Sequence, residues 1–290
     1  MQTRETFVRN IRLARLVFGA VALAVLATPV ASDPSPGAST LNIDYTLSFW
    51  AIPFGHTNYD GTLTSNSYSA SAHFETSGLV GFFWKSVIDA TSSGELGAHS
   101  IMPAVYDSYS RDRDKPMQRV KVKFDSDQPV TFAEPAYDMT QYPVSEVQKK
   151  GAVDPMSAVS AILTGVKADA ANPCGAGVQV FDGRRRYDVL FTYLKDEPVQ
   201  LGNKLFVGNA HLCQIHYNQI AGYKQKIIQA GRALPPMFAD FAEFPAPGTP
   251  AGHYVVAVKL WSALSLGTVT VTLDSLKVDG ATPGHMNNRS

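Results

Sequence analysis

The chain lacks most of the features that announce a reaction. It has no Gly-x-Ser-x-Gly nucleophile elbow, no His-Glu-x-x-His metal motif and no Gly-rich phosphate loop. This leaves no legible catalytic residue and no motif for a cofactor. Lysine plus arginine and aspartate plus glutamate each number 25, so no positive surplus points to nucleic acid. No internal repeat of fixed period is present. The longest apolar run, Leu16–Ala27 (LVFGAVALAVLA), has 12 residues, too short to span a bilayer comfortably. Cysteine is nearly absent: only Cys174 and Cys213 occur.

Those two scarcities are informative together. The short apolar run follows Arg4, Arg9, Arg12 and Arg15, opposed only by Glu5, and precedes Val30-Ala31-Ser32. This order suits a secretory signal peptide over residues 1–32; an uncleaved anchor is the alternative. No cysteine lies near the cleavage region to carry a lipid. Without those residues 21 basic and 24 acidic side chains remain, a net charge of −3. Membrane contact is then expected only through the leader before cleavage. Export implies an oxidising compartment, where an even cysteine count favours a Cys174–Cys213 disulfide. Closing a loop of that size stabilises by ~4 kcal/mol in the chain-entropy model. The rival is a metal site around His211, Cys213 and His216. Strand alternation turns His216 away from the other two, and the spacing is not a standard zinc pattern, so no metal is expected.

What the chain does have is alternation. Leu41–Ile52, Ser67–Thr76, Arg119–Phe124, parts of Gly202–Tyr217, His253–Ala263 and Gly267–Val278 interleave apolar with polar residues. Gly, Asn, Asp and Pro separate them. The pattern predicts a mainly β fold, a large curved antiparallel sheet or open barrel, in a single domain over residues 40–280. Residues 281–290 read as a disordered tail. One helix stands out at DPMSAVSAILTGVKA: Asp154 suits the cap and Pro155 the first turn. Met156, Val159, Ile162, Leu163 and Val166 form its apolar stripe, expected to pack on the sheet. A second short helix is expected over Pro236–Phe244.

The stretch VFDGRRRYDVLF (Val180–Phe191) holds three consecutive arginines. Asp182-Gly183 reads as a two-residue hairpin turn. Phe181 would then face Arg184, and Val180 would face Arg185. Alternation puts Arg185 and Tyr187 on the apolar face with Val178, Val180, Val189 and Phe191. Arg184 and Arg186 look outward, with Asp188 as a charge partner. A guanidinium on an apolar face needs a carboxylate of the protein's own or the acidic head of a ligand. Arg185 and Tyr187 are therefore candidate ligand contacts. Trp84, in GFFWKS, is a third at a hydrophobic cavity, with core packing its simpler role. Asp107, Asp112 and Asp114 alternate with Arg111 and Arg113, as in a solvated, self-neutralising loop. The seven scattered histidines read as satisfied or exposed.

Several of these segments together resemble a known family. They are Gly78–Phe82, Gly151–Ser157, Cys174, Phe181–Asp188, Cys213 and Ala221–Lys224, in that order. The chain is similar to the periplasmic family of unknown function numbered 3108 (DUF 3108), common in alphaproteobacteria. The resemblance covers roughly residues 40–280. It implies a periplasmic envelope protein on a curved sheet with few helices, like the open barrels that carry lipoproteins or lipids. It implies no reaction. The expected role is non-enzymatic: holding an apolar or amphipathic ligand, or a partner segment, against the sheet. The partner could be lipid, lipoprotein or an envelope protein. The alternatives are an envelope-integrity factor without a small ligand and a hydrolase with an unrecognised site.

Overall fold

Alternation carries most of the chain into strands. The computed structural model describes residues 37–283, apart from 79, 80, 82–84, 114, 126, 127, 139, 170, 203, 227–233, 248 and 250. The expected leader, the candidate Trp84 with its neighbours Phe82 and Phe83, and residues 284–290 lie outside the described residues. Of the expected tail, Ala281 exchanges backbone hydrogen bonds with Val278 and so belongs to the fold.

The strands are β1 (Ser39–Phe49), β2 (Ile52–Leu63), β3 (Ser67–Thr76), β4 (Ser86–Leu96), β5 (Ile101–Asp112), β6 (Gln118–Asp125) and β7 (Gln128–Glu134). After two short helices, α1 (Glu146–Lys149) and α2 (Pro155–Leu163), come β8 (Val178–Phe181), β9 (Arg186–Gln200), β10 (Val207–Ala221), β11 (Met237–Pro245), β12 (His253–Leu264) and β13 (Gly267–Val278). They form one 13-stranded sheet in the order β7-β6-β5-β4-β3-β2-β1-β13-β12-β11-β10-β9-β8. Every pairing is antiparallel, and β1 joins β13, so the two halves of the chain meet in the middle. The curved sheet is mainly β and not closed, as the sequence pattern predicts.

In β6, Val120 and Val122 are buried while Lys123 is exposed, the period-two pattern of a half-buried strand. β11 corrects the expected second helix. Its Ala239, Asp240, Phe241, Ala242 and Phe244 are all buried, so both faces are covered. A strand buried on both sides reads as a continuous apolar run, which periodicity alone does not separate from a helix.

Helix α2 packs against β3, β4, β5, β8 and β12. Its attachment is polar as much as apolar. Asp154 is the N-cap: its carboxylate accepts the Ser157 N–H at 2.9 Å and also the Ser157 hydroxyl. The same carboxylate accepts the Ser92 hydroxyl at 3.0 Å. Tyr68 Oη lies 2.5 Å from Ser157 Oγ, and Tyr59 Oη lies 2.9 Å from Ser160 Oγ. Asp154, Ser157, Ser160 and Thr164 have no exposed surface at all. Burial raises the Asp154 carboxyl above its ordinary range, and the Ser157 and Ser92 donors oppose that shift. The stripe read from spacing holds for Met156, Leu163 and Val166, which are buried, but Val159 is exposed. The tyrosine hydroxyls of β2 and β3 supply partners for serines, so the small polar side of the helix turns inward.

Cys174 and Cys213 are disulfide-bonded, with Cα atoms 6.1 Å apart. The bond fastens the segment after α2 to β10 and fits an oxidising environment. It lies in a small core with Phe191 and Phe241, whose rings meet edge to face at 5.8 Å. Asp154→Ala removes the cap and takes the acceptor from two buried hydroxyls, Ser157 and Ser92, so we expect a loss of about 3 kcal/mol, measured by urea unfolding. Asp154→Asn keeps an acceptor for the Ser157 N–H and should lose visibly less.

Candidate functional site

The sheet has two ends, and its free space collects between them. At β8 the outer edge is partly covered: the Val153 N–H donates to Gln179 O at 2.9 Å, and the Phe181 N–H donates to Val153 O at 2.8 Å. Among the described residues nothing pairs with the outer edge of β7. A cleft of about 610 Å³ separates the two. Val130 and Phe132 of β7, Tyr137, Lys149 of α1, Phe181 of β8 and Gly183 line it. Val130 and Phe132 are 64% and 53% exposed, unusual for apolar side chains on a strand. The Lys149 ammonium stands 5.6 Å above the Phe181 ring and pairs with Glu146 at 2.6 Å.

The arginine turn forms one end of this seam, and it differs from the two-residue hairpin. Phe181 pairs with Arg186, Val180 with Tyr187, Gln179 with Asp188 and Val178 with Val189. The loop is therefore Asp182-Gly183-Arg184-Arg185. The Asp182 carboxylate is the reason: it accepts the Arg184 N–H at 2.9 Å and the Arg185 N–H at 2.6 Å, which fixes a wider turn. Gly183, at φ +89°, presses onto β6, where a Cβ would stand 2.5 Å from Val120 Cγ1.

The register shift exchanges the roles of the arginines. Arg185, expected on the apolar face, is exposed in the loop with its guanidinium 5.7 Å from the Tyr223 ring centre. Arg184 lies 4.9 Å over Tyr137. Arg186, expected to face solvent, is only 5% exposed. Segment 146–149 covers it: its Nε donates to Gln148 O at 2.9 Å, and its Nη1 donates to Tyr187 O at 2.7 Å. That Nη1 also meets Asp188 Oδ1 at 2.5 Å, the charge partner read from alternation. The buried guanidinium thus meets the protein's own acid. The Tyr187 ring packs tilted against Tyr217 with ring centres 4.7 Å apart, and Tyr217 Oη lies 2.6 Å from Tyr223 Oη. Burial raises the Asp182 carboxyl, against the Arg185 and Arg184 backbone donors. Arg185 and Tyr187 are therefore linked through Tyr217 and Tyr223, and none of these four lines the cleft, which the turn reaches through Gly183.

Of the segment DSYSRDRD, read as a solvated loop, the residues Asp107–Asp112 belong to a strand, and Asp114 lies outside the described residues. Asp107 and Asp112 sit on β5. Asp107 takes two hydrogen bonds from Arg119 of β6, at 3.0 and 2.7 Å, and Asp112 pairs with Lys115 at 2.6 Å.

A second polar cleft, of about 400 Å³, was invisible in the sequence. Asp196 of β9, His211 of β10, Glu243 of β11 and His253 of β12 line one wall. His211 Nδ1 lies 2.5 Å from Asp196 Oδ1, and its Nε2 lies 3.8 Å from Glu243 Oε1. His253 Nε2 reaches the same Glu243 oxygen at 3.7 Å. Glu243 raises the His211 pKa, burial opposes, and Asp196 adds to the rise. His211 in turn holds the Glu243 carboxyl below its ordinary range. The row sets the His211 ring between two carboxylates and ties four strands together. Among the described residues no group of three His, Cys, Asp or Glu side chains is arranged to hold a metal ion.

Two outcomes follow. Arg186→Ala leaves Asp188 unpaired and should cost about 3 kcal/mol in urea unfolding, whereas Arg185→Ala should change stability by less than about 0.5 kcal/mol. The second concerns pH. His211, raised above its ordinary 6.5, contributes fully below that value and loses its share as pH climbs through the raised one. Glu243, lowered from 4.5, contributes fully above that value and loses its share as pH falls through the depressed one. Stability from the row is therefore greatest in mild acid. His211→Gln should flatten the decline on the alkaline side, read from unfolding midpoints across buffers.

No curated protein matches the chain. A solved structure titled "Crystal Structure of Beta-barrel-like Protein of Domain of Unknown Function DUF1849 from Brucella abortus" is similar over 82% of this chain and 97% of that one, at 11% identity and a TM-score of 0.47. Residues 43–229 match the family described as "Protein of unknown function (DUF3108)", and the chain belongs to that family.

Proposed function

We propose that this is an exported, non-enzymatic protein of the bacterial periplasm that holds an extended amphipathic ligand or partner segment in the seam between β7 and β8. One observation carries the reading: the hollow of the sheet is filled by α2, while the seam is open and apolar. The space beside α2 at Ala161, Ile162 and Val178 is only about 10 Å³, too small for a lipid chain. The seam, at about 610 Å³, lies within the range of small-molecule sites.

Its chemistry suits an amphipathic occupant. Val130 and Phe132 offer apolar contact above the buried Phe181, and the free β7 edge offers backbone donors and acceptors to an extended segment. Arg184 and Arg185, stacked on Tyr137 and Tyr223 at the turn, add positive charge for an acidic group. Arg185 and Tyr187 keep a role here as flanking contacts. The disulfide and the net charge of the processed chain accord with an exported protein that has no use for nucleic acid.

Native mass spectrometry of the protein released gently from the envelope should show a bound mass. Val130→Lys with Phe132→Lys, both exposed positions, should remove it while leaving the unfolding midpoint unchanged. Protein that is reproducibly empty would overturn the proposal.

A further inference from the structure

The ends of β1 and β12 carry a second exposed apolar surface, separate from the seam. The turn between β1 and β2 is Trp50-Ala51, and the turn between β12 and β13 is Ser265-Leu266. The pairing of β1 with β13 sets these turns side by side, with the Trp50 N–H donating to Thr268 O at 3.1 Å. Trp50 is 66% exposed, Ile52 63% and Leu266 75%, and Leu264 is exposed beside them. No charged side chain occurs from Tyr45 to Gly55 or from Leu260 to Leu273.

This tip is built rather than incidental. Trp50 and Ala51 both adopt the left-handed region, at φ 49° and 63°, where turns ordinarily take Asn, Asp or Gly. Strain of this kind persists only where surrounding contacts enforce it. Gly267 is part of the enforcement: a Cβ there would stand 2.1 Å from Trp50 Nε1, so the indole lies across the bare backbone of β13. The Phe49 ring stacks against it at 5.5 Å. The backbone thus holds a tryptophan at the summit of a hairpin instead of burying it.

Charge selects the occupant. Four other connections emerge at this end of the sheet. β3 to β4 and β10 to β11, which flank the tip on either side, expose Lys85, Lys224 and Lys226; farther out, β5 to β6 carries Lys115 paired with Asp112, and β8 to β9 carries Arg184 and Arg185 beside Asp182. An apolar tip with tryptophan at its boundary and lysines around it is complementary to a bilayer surface bearing anionic headgroups. Among the described residues no helix is long and apolar enough to cross a membrane, so contact would be at the surface.

We propose that the Trp50–Ile52 and Leu264–Leu266 turns dock this protein on an anionic lipid surface, inserting into the headgroup layer while Lys85, Lys224 and Lys226 meet the phosphates. The sequence leads to membrane contact only through the leader; this surface belongs to the folded chain. It does not depend on what the seam holds.

The test is flotation of the exported protein with vesicles of phosphatidylethanolamine and phosphatidylglycerol, beside vesicles of phosphatidylcholine alone. The wild type should float with the anionic vesicles, with the tryptophan emission shifted to the blue. Trp50→Ser with Leu266→Ser should weaken the partition about tenfold or more. Lys224→Glu with Lys226→Glu should weaken it on anionic vesicles in low salt and change little on phosphatidylcholine. All variants carry the same amino terminus, so any residual leader contributes equally, and equal unfolding midpoints establish that each is folded. Undiminished flotation of the Trp50/Leu266 variant would overturn the proposal. So would a wild type that stays off anionic vesicles, which would assign the tip to a protein partner.

Discussion

The position of one buried carboxylate governs what the rest of the sheet can do. Asp154 is fully enclosed, and it holds α2 through donors on the helix and on β4. A carboxylate in such a place is tolerable only while every donor stays in position. The helix therefore fills the concave side of a sheet that, by its curvature, would otherwise enclose a lumen. Open space and exposed apolar surface are displaced outward, to the seam, to the histidine cleft and to the hairpin tips.

The strands were legible because each buries one face. Leu41 and Ile43 against Asp44 in β1, or Val120 and Val122 against Lys123 in β6, write their own period. Three features were harder. β11 is covered on both faces, so its period disappears. Helix α2 turns serines inward because Tyr59 and Tyr68, far away in sequence, can receive them. The arginine loop widens because an aspartate side chain captures two backbone N–H groups, which turn statistics for Asp-Gly do not include.

The candidate site was legible only in part. The arginine run drew attention to a turn that reaches the seam, but the buried member is Arg186 and not Arg185. Parity along a strand was read correctly; the register across strands was not, and burial depended on segment 146–149 arriving from elsewhere. The histidine row was missed: His211 drew notice only beside Cys213 and His216, neither of which belongs to the row. Asp196 and His211 face each other in β9 and β10, while Glu243 and His253 arrive from two further strands. Only the strand order brings them together.

The borders of the sheet have a consequence for self-association. Stacking of whole sheets through their borders needs two available borders on every copy, one to receive and one to offer. Here the parallel bridge to Val153 covers only the four-residue β8, while Leu190–Gln200 of β9 runs past it with no strand on its outer side among the described residues. Each copy therefore keeps two borders, β7 and the outer reach of β9. What discourages stacking is the make-up of the second border, where Lys195, Asp196, Glu197 and Pro198 stand in a row, charged and unable to complete a regular ladder.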